Sequence, residues 1–353
     1  MDAPAPLASP LAARGLGWAV GAARLIAPFA AALLVGAIIL WATGRNAIET
    51  YRLLAHYSLG DWSAITNTLA AATPVMMTGL ATAFAFRAGV FNVGVEGSLY
   101  LGAFAAAWVG FTFVHVTSVP LIAAALALAA AAGALVGLIP ALLKVLWSVD
   151  EVVTTLMFNF VVIGLTSYLV NGPYLSIGTA NSMSPLVATQ AELPSLSPPS
   201  QMTAGLLIAA GTALVFWVVY ARTTVGYELA TVGANRRFAA ASGISVSRAI
   251  LIAMVVSGLI GGLAGGIQIL GVNHRFIDHF SPGYGFTGIA VALLGRNSAL
   301  GCVLAAIFFG ALANGGSTVQ LFTNIPLELI SVLQGTVMIF AVIQLGRGMG
   351  SRG

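Results

Sequence analysis

The chain has 353 residues, of which 59% are hydrophobic and 7% are charged, and its formal net charge is +4. A soluble domain carries about 25% charged residues, so this composition excludes a soluble fold. The 41 glycines fit a membrane protein, because small residues let its helices approach closely. We therefore predict an all-α fold, a polytopic transmembrane helical bundle that forms one domain.

Ten apolar runs are candidate spans, since crossing about 30 Å of hydrocarbon takes roughly 20 apolar residues. They cover residues 24–43, 63–85, 90–110, 120–143, 152–170, 203–220, 250–272, 283–295, 299–314 and 327–345. The eighth and ninth runs are short and could form one re-entrant hairpin or two half-helices, so the prediction is eight to ten spans. Residues 1–23 and 347–353 are predicted tails on either side of a transmembrane domain of residues 24–346.

The distribution of Lys and Arg predicts the orientation. With ten spans and an inner amino terminus, Arg45, Arg52 and Arg275 fall outside, and the other 11 of the 14 basic residues fall inside. Basic residues favour the cytoplasmic side, so both termini and the loop of residues 221–249 are predicted to be cytoplasmic. The outer loops are then residues 43–62, with the spacing of an interfacial helix, and residues 171–202, whose prolines exclude a regular helix.

Polar residues inside spans are costly and indicate functional positions. Residues 86–103 hold Asn92, Glu96 and Ser98 among glycines, as in a broken helix that lines a cavity. The alternative is that Asn92 and Glu96 cap or bridge neighbouring helices near the inner face. Further along, Asp150 and Glu151 stand at a helix start, where capping is the favoured role, and Asn159 lies deeper, where it could face a pathway.

The third polar cluster follows the seventh run. His274, Arg275, Asp278 and His279 lie just outside the membrane, before the chain re-enters. Two histidines five residues apart with no third ligand do not predict a metal site. A protein-docking rim or a solvated loop is the expected role.

The loop of residues 221–249 is the longest polar, basic segment between two apolar runs. Asn235 is predicted to cap a short helix through Ala241, with Gly243 as a left-handed stop and bends at Gly226 and Gly233. The sequence has no GxxxxGK[ST] loop, and it shows no enzyme motif. If ATP drives this protein, another subunit must hydrolyse it.

Four segments together resemble the permease subunits of bacterial ABC importers for nucleosides and simple sugars, which are related to ribose and branched-chain amino-acid permeases. They are FRAGVFNVGVEG (86–97), DEVVTTLMFNF (150–160), VGANRRFAAASGI (232–244) and GYGFTGIAVALLGRN (283–297). The resemblance extends over about residues 74–344, and the segment around 271–288 is most similar to the nucleoside branch. Relatives often have Gln, Asn and Pro where this sequence has Ser98, Asp150 and Arg236, which could alter substrate preference and ATPase pairing.

The resemblance implies a transport subunit of the bacterial plasma membrane that is not an enzyme and has no cofactor of its own. It implies three partners besides the lipid bilayer: a second homologous permease, an ATPase with two fused nucleotide-binding halves that binds ATP and Mg²⁺, and an extracytoplasmic substrate-binding lipoprotein or protein. No nucleic-acid partner is predicted. The predicted ATPase-coupling residues are Gly226, Glu228, Gly233, Ala234, Asn235, Arg236, Arg237, Ser242 and Gly243.

The remaining assignments follow from the polar clusters. Asn92, Glu96, Ser98 and Asn159 are predicted to line the translocation pathway. The residues predicted to receive the binding protein are His274, Arg275, Asp278 and His279. Nucleosides are the predicted substrates, with a neutral sugar as the alternative. A self-sufficient secondary carrier or channel is a further alternative, in which Glu96 would be the acid for ion coupling.

Overall fold

The structure is a computed structural model that describes residues 33–42, 44–178 and 181–322, together with positions 331, 332, 335, 336 and 339. The described residues are almost entirely helical, and they contain two isolated antiparallel bridges but no extended strand. The predicted all-α class is therefore confirmed. The predicted tails of residues 1–23 and 347–353 and the tenth run, residues 327–345, lie outside the continuously described ranges.

The helices are numbered in chain order. They are α1 (Leu33–Ala42), α2 (Ala47–Leu59), α3 (Trp62–Arg87), α4 (Val95–Thr112), α5 (Ser118–Trp147), α6 (Glu151–Asn171), α7 (Gly205–Arg222), α8 (Thr224–Ala234), α9 (Arg236–Ala241), α10 (Val246–Gln268), α11 (Tyr284–Leu294) and α12 (Ala299–Phe322). A π-helical turn, Ile269–Asn273, extends α10, and a 3₁₀ turn covers Thr189–Ala191.

Six helices in the described part of the chain are long and apolar enough to cross a membrane. They are α3, α5, α6, α7, α10 with its π turn, and α12. The chain is therefore a multi-pass membrane protein. The count of eight to ten spans and the orientation of the termini remain predictions.

The eighth and ninth apolar runs, both predicted to be short, form helices of different length. Helix α11 has 11 residues and is about 16 Å long, which is half of a membrane crossing. Helix α12 has 24 residues, so the prediction that the ninth run is short was wrong. The apolar run ends at Asn314, but the helix continues to Phe322, and the Asn314 side-chain amide donates to the carbonyls of Tyr57 and Ala64 at 3.3 and 3.2 Å.

Helix α10 lies at the centre of the bundle and packs against α3, α4 and α5. Its contact with α5 is backbone to backbone. A Cβ atom added to Gly258 would lie 2.3 Å from the Gly133 carbonyl oxygen, and one added to Gly262 would lie 2.1 Å from that of Ala129. The glycines therefore allow the close helix packing that the composition predicted.

The two predicted outer segments form as expected in their local structure. Asn46 caps α2, which packs against α12 and so forms a helix where the sequence predicted one. The described residues that follow α6 in the second segment, 172–178 and 181–202, are irregular apart from the 3₁₀ turn and two single bridge positions. The interfacial position of α2 remains a prediction.

Candidate functional site

The α9 end of the bundle contains the long polar, basic segment between two apolar runs that the sequence singled out, residues 221–249. The Asn235 side chain accepts hydrogen bonds from the backbone N–H groups of Arg237 and Phe238, both at 3.0 Å. Helix α9 ends at Ala241, and Gly243 has a φ of +80°. The short capped helix and its left-handed glycine stop are therefore confirmed.

The prediction that the chain bends at Gly226 and Gly233 was wrong, because both residues lie inside α8. Their role is close packing. A Cβ atom on Gly226 would lie 2.1 Å from the Val219 carbonyl oxygen, and one on Gly233 would lie 2.1 Å from that of Arg87. Helix α8 therefore rests directly on the turn that follows α3.

A substitution tests this contact. Gly233→Ala is expected to destabilise the protein by about 1–3 kcal/mol, because two backbone segments must separate to admit a methyl group. The matched control is Gly211→Ala in α7, where a Cβ atom meets nothing within 4 Å among the described residues. The thermal midpoint in detergent measures the effect, and equal midpoints for the two variants would contradict the contact.

Arg236 connects α9 to the same turn. Its Nη2 atom donates to the Gly89 carbonyl oxygen at 2.7 Å and lies 3.9 Å from a carboxylate oxygen of Glu151. Lys144 lies 2.6 Å from that carboxylate, which is buried at the start of α6. Arg236 is one of the two arginines predicted to meet an ATPase. Its guanidinium instead contacts Gly89 and Glu151 of its own chain.

The exposed surface of this end consists of other side chains. Arg237 is exposed, Glu228 is half-buried, and neither has a described side-chain partner. Beside them Tyr227 and Phe238 are 65% and 58% exposed. The sequence analysis missed the two aromatic residues, although large aromatic groups in a polar loop are typical of a binding surface. Of the other predicted coupling residues, Ala234 ends α8 and Ser242 follows α9.

The turn between α3 and α4 is held by the polar residues that the sequence singled out. Asn92 accepts from the Gly94 N–H at 2.8 Å and donates to Ser257 of α10 at 2.9 Å. Asn159 accepts from the Gly97 N–H at 2.8 Å and donates to the Val93 carbonyl at 2.9 Å. These side chains are buried and satisfy the backbone of a broken helix, which is the bridging role that the sequence left open.

Two further predicted residues, Ser98 and Asp150, lie near this turn. Ser98 is fully buried and donates to the Gly94 carbonyl at 3.1 Å. Asp150 caps α6 by accepting from the N–H groups of Val152 and Val153 at 2.9 and 3.0 Å. The capping role of Asp150 is therefore confirmed, whereas the pathway role of Ser98 remains a prediction.

Glu96, in the first turn of α4, contacts the start of the half-helix α11 inside the bundle. Its carboxylate is buried and accepts a hydrogen bond from the N–H of Gly285, in the first turn of the half-helix α11. The positive end of a helix dipole stabilises a carboxylate at this position. Thr78, inside α3, donates to the Tyr284 carbonyl at 2.8 Å, so α11 begins at mid-height and runs toward the α9 end.

At the opposite end of the bundle, the described loop residues 172–178 and 181–202 pack against residues 274–280. Asp278 accepts from Ser167 at 2.9 Å and from Asn171 at 3.0 Å, and its N–H donates to the Ser182 carbonyl at 2.9 Å. The predicted docking residues thus differ in the exposure of their side chains. Asp278 holds the loop, whereas the His279 side chain is 72% exposed.

The other two rim residues also have neighbours inside the chain. His274 Nδ1 lies 3.9 Å from a Glu192 carboxylate oxygen, and Arg275 Nη1 lies 2.8 Å from the sulfur of Met183. Ile177, which the sequence analysis missed, is 99% exposed on the same loop. A single exposed apolar side chain is common on protein surfaces, so Ile177 does not by itself identify a contact site.

A cavity of about 490 Å³ lies between mid-height and this opposite end. Its walls come from α3, the end of α10, the start of α11, α12 and the loop that precedes α7. The lining residues are Asn67, Ala70, Ala71, Pro74, Pro199, Gln201, Gln268, Val272, Tyr284, Ala313, Asn314 and Ser317. None of the predicted pathway residues is among them.

Broken helices and a polar cavity in a multi-pass bundle are typical of membrane transport proteins. The chain belongs to the family described as the branched-chain amino acid transport system permease component, which matches residues 64–342. It is thus a permease subunit.

Individual relatives match most of the chain. It is 36% identical over 323 residues to the glucose ABC transporter permease protein TsgB13 of Haloferax volcanii, covering 88% of this chain and 84% of the relative. It is 34% identical over 330 residues to the guanosine ABC transporter permease protein NupP of Bacillus subtilis, covering 90% and 92%. It is 30% identical over 322 residues to the nucleoside ABC transporter permease protein NupB of Lactococcus lactis subsp. cremoris, covering 88% of each. No solved structure matches significantly.

Proposed function

We propose that this permease subunit forms half of the translocation pathway of an ATP-driven importer for nucleosides. The observation that carries the proposal is the contact of α8 and α9 with the turn between α3 and α4. Through Gly233 and Arg236, a displacement of the exposed α9 surface would act on the backbone of a broken helix. An ATPase that binds the exposed surface of α9 could therefore move the turn between α3 and α4 through this contact.

The proposal includes the partners that the family resemblance implies. An ATPase with two nucleotide-binding halves would bind ATP and Mg²⁺ and seat α9 in a groove on the cytoplasmic side of the bacterial inner membrane. A second homologous permease would complete the pathway, as a heterodimer. A substrate-binding lipoprotein would dock at the opposite end, near His279 and Ile177.

Nucleosides are preferred as substrates because NupP and NupB are named for guanosine and nucleoside transport. TsgB13 is named for glucose, and a neutral sugar is therefore the second candidate. Both are uncharged and rich in hydroxyl groups.

Reconstitution tests the proposed function. Proteoliposomes that hold both permeases and the ATPase, with the binding protein outside and ATP inside, are expected to accumulate labelled guanosine. Omission of ATP or of the ATPase is expected to abolish uptake, because the described residues include no phosphate-binding loop. Labelled glucose is the matched second substrate. Uptake of glucose alone would favour the sugar reading, and ion-driven uptake by the permeases without ATPase would overturn the importer.

A further inference from the structure

The 490 Å³ cavity is surrounded by three irregularities in helix structure. Pro74 has no N–H, so the Ala70 carbonyl loses its helical donor, and both residues line the cavity. The π-helical turn after Gln268 forms a second wall, and the first residue of the half-helix α11, Tyr284, forms a third. Irregular backbone at membrane depth is tolerated where it lines a polar cavity, which indicates a site for a ligand.

The side chains around the cavity are polar but carry no formal charge. Among the described lining residues, four are amides, Asn67, Gln201, Gln268 and Asn314, and none is Asp, Glu, Lys or Arg. A charged ligand would lose its hydration here without a counter-charge, at a cost of several kcal/mol. The lining therefore selects neutral ligands.

Two of the amides keep hydrogen-bonding capacity. The Asn67 oxygen accepts from the Gln201 N–H at 3.1 Å, and its amide nitrogen has no described partner. The Asn314 nitrogen donates to Thr68 at 3.1 Å, and its oxygen has none among the described residues. The cavity thus offers a donor and an acceptor, and Tyr284 is the aromatic side chain in its described lining.

We propose that this cavity is an outer vestibule that receives a neutral nucleoside from the binding protein and excludes nucleotides. The amides of Asn67 and Asn314 bond the sugar hydroxyls, and the base lies against Tyr284. The volume is within the range of about 300–1,000 Å³ that is typical of small-ligand sites. The assignment rests on the proposed function and adds to it the site and the charge selection.

Cysteine labelling tests the vestibule in the complete transporter. Cys302 is the single cysteine of the chain and is buried, so an introduced cysteine can be labelled selectively. Ser317→Cys places a thiol at the cavity wall, and Ser63→Cys is the matched control at an exposed position of α3 outside the lining. Proteoliposomes with binding protein outside are treated with a membrane-impermeant maleimide, with no ligand, guanosine or guanosine monophosphate.

Guanosine at about ten times its half-saturating concentration is expected to slow labelling of Ser317→Cys about tenfold, because only the empty vestibule reacts. Guanosine monophosphate is expected to give no protection, and Ser63→Cys is expected to react at one rate throughout. Labelled Ser317→Cys is expected to lose ATP-driven uptake, and labelled Ser63→Cys to retain it.

Contrary results would distinguish a failure of the vestibule proposal from a failure of the proposed function. If guanosine uptake is normal but Ser317→Cys is unreactive, unprotected or fully active after labelling, the vestibule is wrong and the proposed function stands. If the unlabelled wild-type transporter accumulates no guanosine, both fail. Should Ser317→Cys not assemble, Ala313→Cys on the same wall undergoes the same protocol.

Discussion

Replacing Arg236 with glutamine is expected to reduce ATP-driven uptake about tenfold without loss of membrane insertion. The guanidinium donates to the Gly89 carbonyl at 2.7 Å, and a hydrogen bond with a charged group contributes about 1.5–3 kcal/mol. The Arg236 side chain is 44% exposed, so solvent screening places the effect at the lower end. A loss of about 1.4 kcal/mol in coupling corresponds to a factor of about ten.

The matched control is Arg237→Gln, one residue along the same helix. Arg237 has no described side-chain partner, so this change removes the same charge without breaking a contact inside the bundle. ATP-driven uptake is measured together with the amount of nucleoside transported per ATP hydrolysed. Equal ratios for Arg236→Gln and wild type would contradict the proposed link between α9 and the broken helix.

A broader variant, Arg236→Glu with Arg237→Glu, tests the whole coupling segment. Because Arg236 stands beside Glu151, the new carboxylate would meet a like charge. Uptake is expected to be lost while insertion is retained. Retained insertion with unchanged uptake would eliminate α9 as the coupling helix.

Glu96→Ala is expected to give the largest loss of all, with uptake abolished and the thermal midpoint lowered. The substitution leaves the buried N–H of Gly285 without its acceptor, and an unsatisfied buried donor costs about 1–3 kcal/mol. It also removes the negative charge from the start of α11, where the helix dipole favours it. Uptake and thermal unfolding of the purified complex measure the two effects.

Glu96→Gln distinguishes a positioning role from ion coupling. The glutamine oxygen can still accept from Gly285, so ATP-driven uptake is expected to stay within about threefold of wild type, since the contact is kept and only its charge assistance is lost. In a secondary carrier, Glu96 would take up and release the coupling ion, and glutamine would abolish transport. Complete loss of uptake by a normally assembled Glu96→Gln complex would therefore contradict the positioning role.

The local features of the fold could be predicted from the sequence. Asn235, Gly243 and Asp150 act on backbone groups within a few residues, so their caps and stops follow from residue type and spacing alone. The apolar runs likewise predicted the membrane class. Gly226 and Gly233 show the limit, because their positions in α8 are dictated by backbones that approach from α7 and from the turn after α3.

The site could be predicted only in part, because its contacts join distant residues. The bond from Asn92 to Ser257 spans 165 positions, and no sequence spacing predicts it. The polar side chains around the cavity lie near ends of apolar runs, as Gln268 and Asn314 do, where they resemble ordinary boundaries. Pro74, inside the second run, was the available signal, since a proline at that depth frees a carbonyl that a cavity can use.

The uncharged lining of the vestibule also has a consequence for energetics. A neutral ligand that meets no ionised side chain of the described lining moves no charge through that part of the membrane. The transmembrane potential contributes about 2.3 kcal/mol per elementary charge per 100 mV, and it contributes nothing where no charge moves. In the proposed importer, passage of the nucleoside through the vestibule is therefore electrically silent, and uptake is expected to depend on ATP and not on the membrane potential.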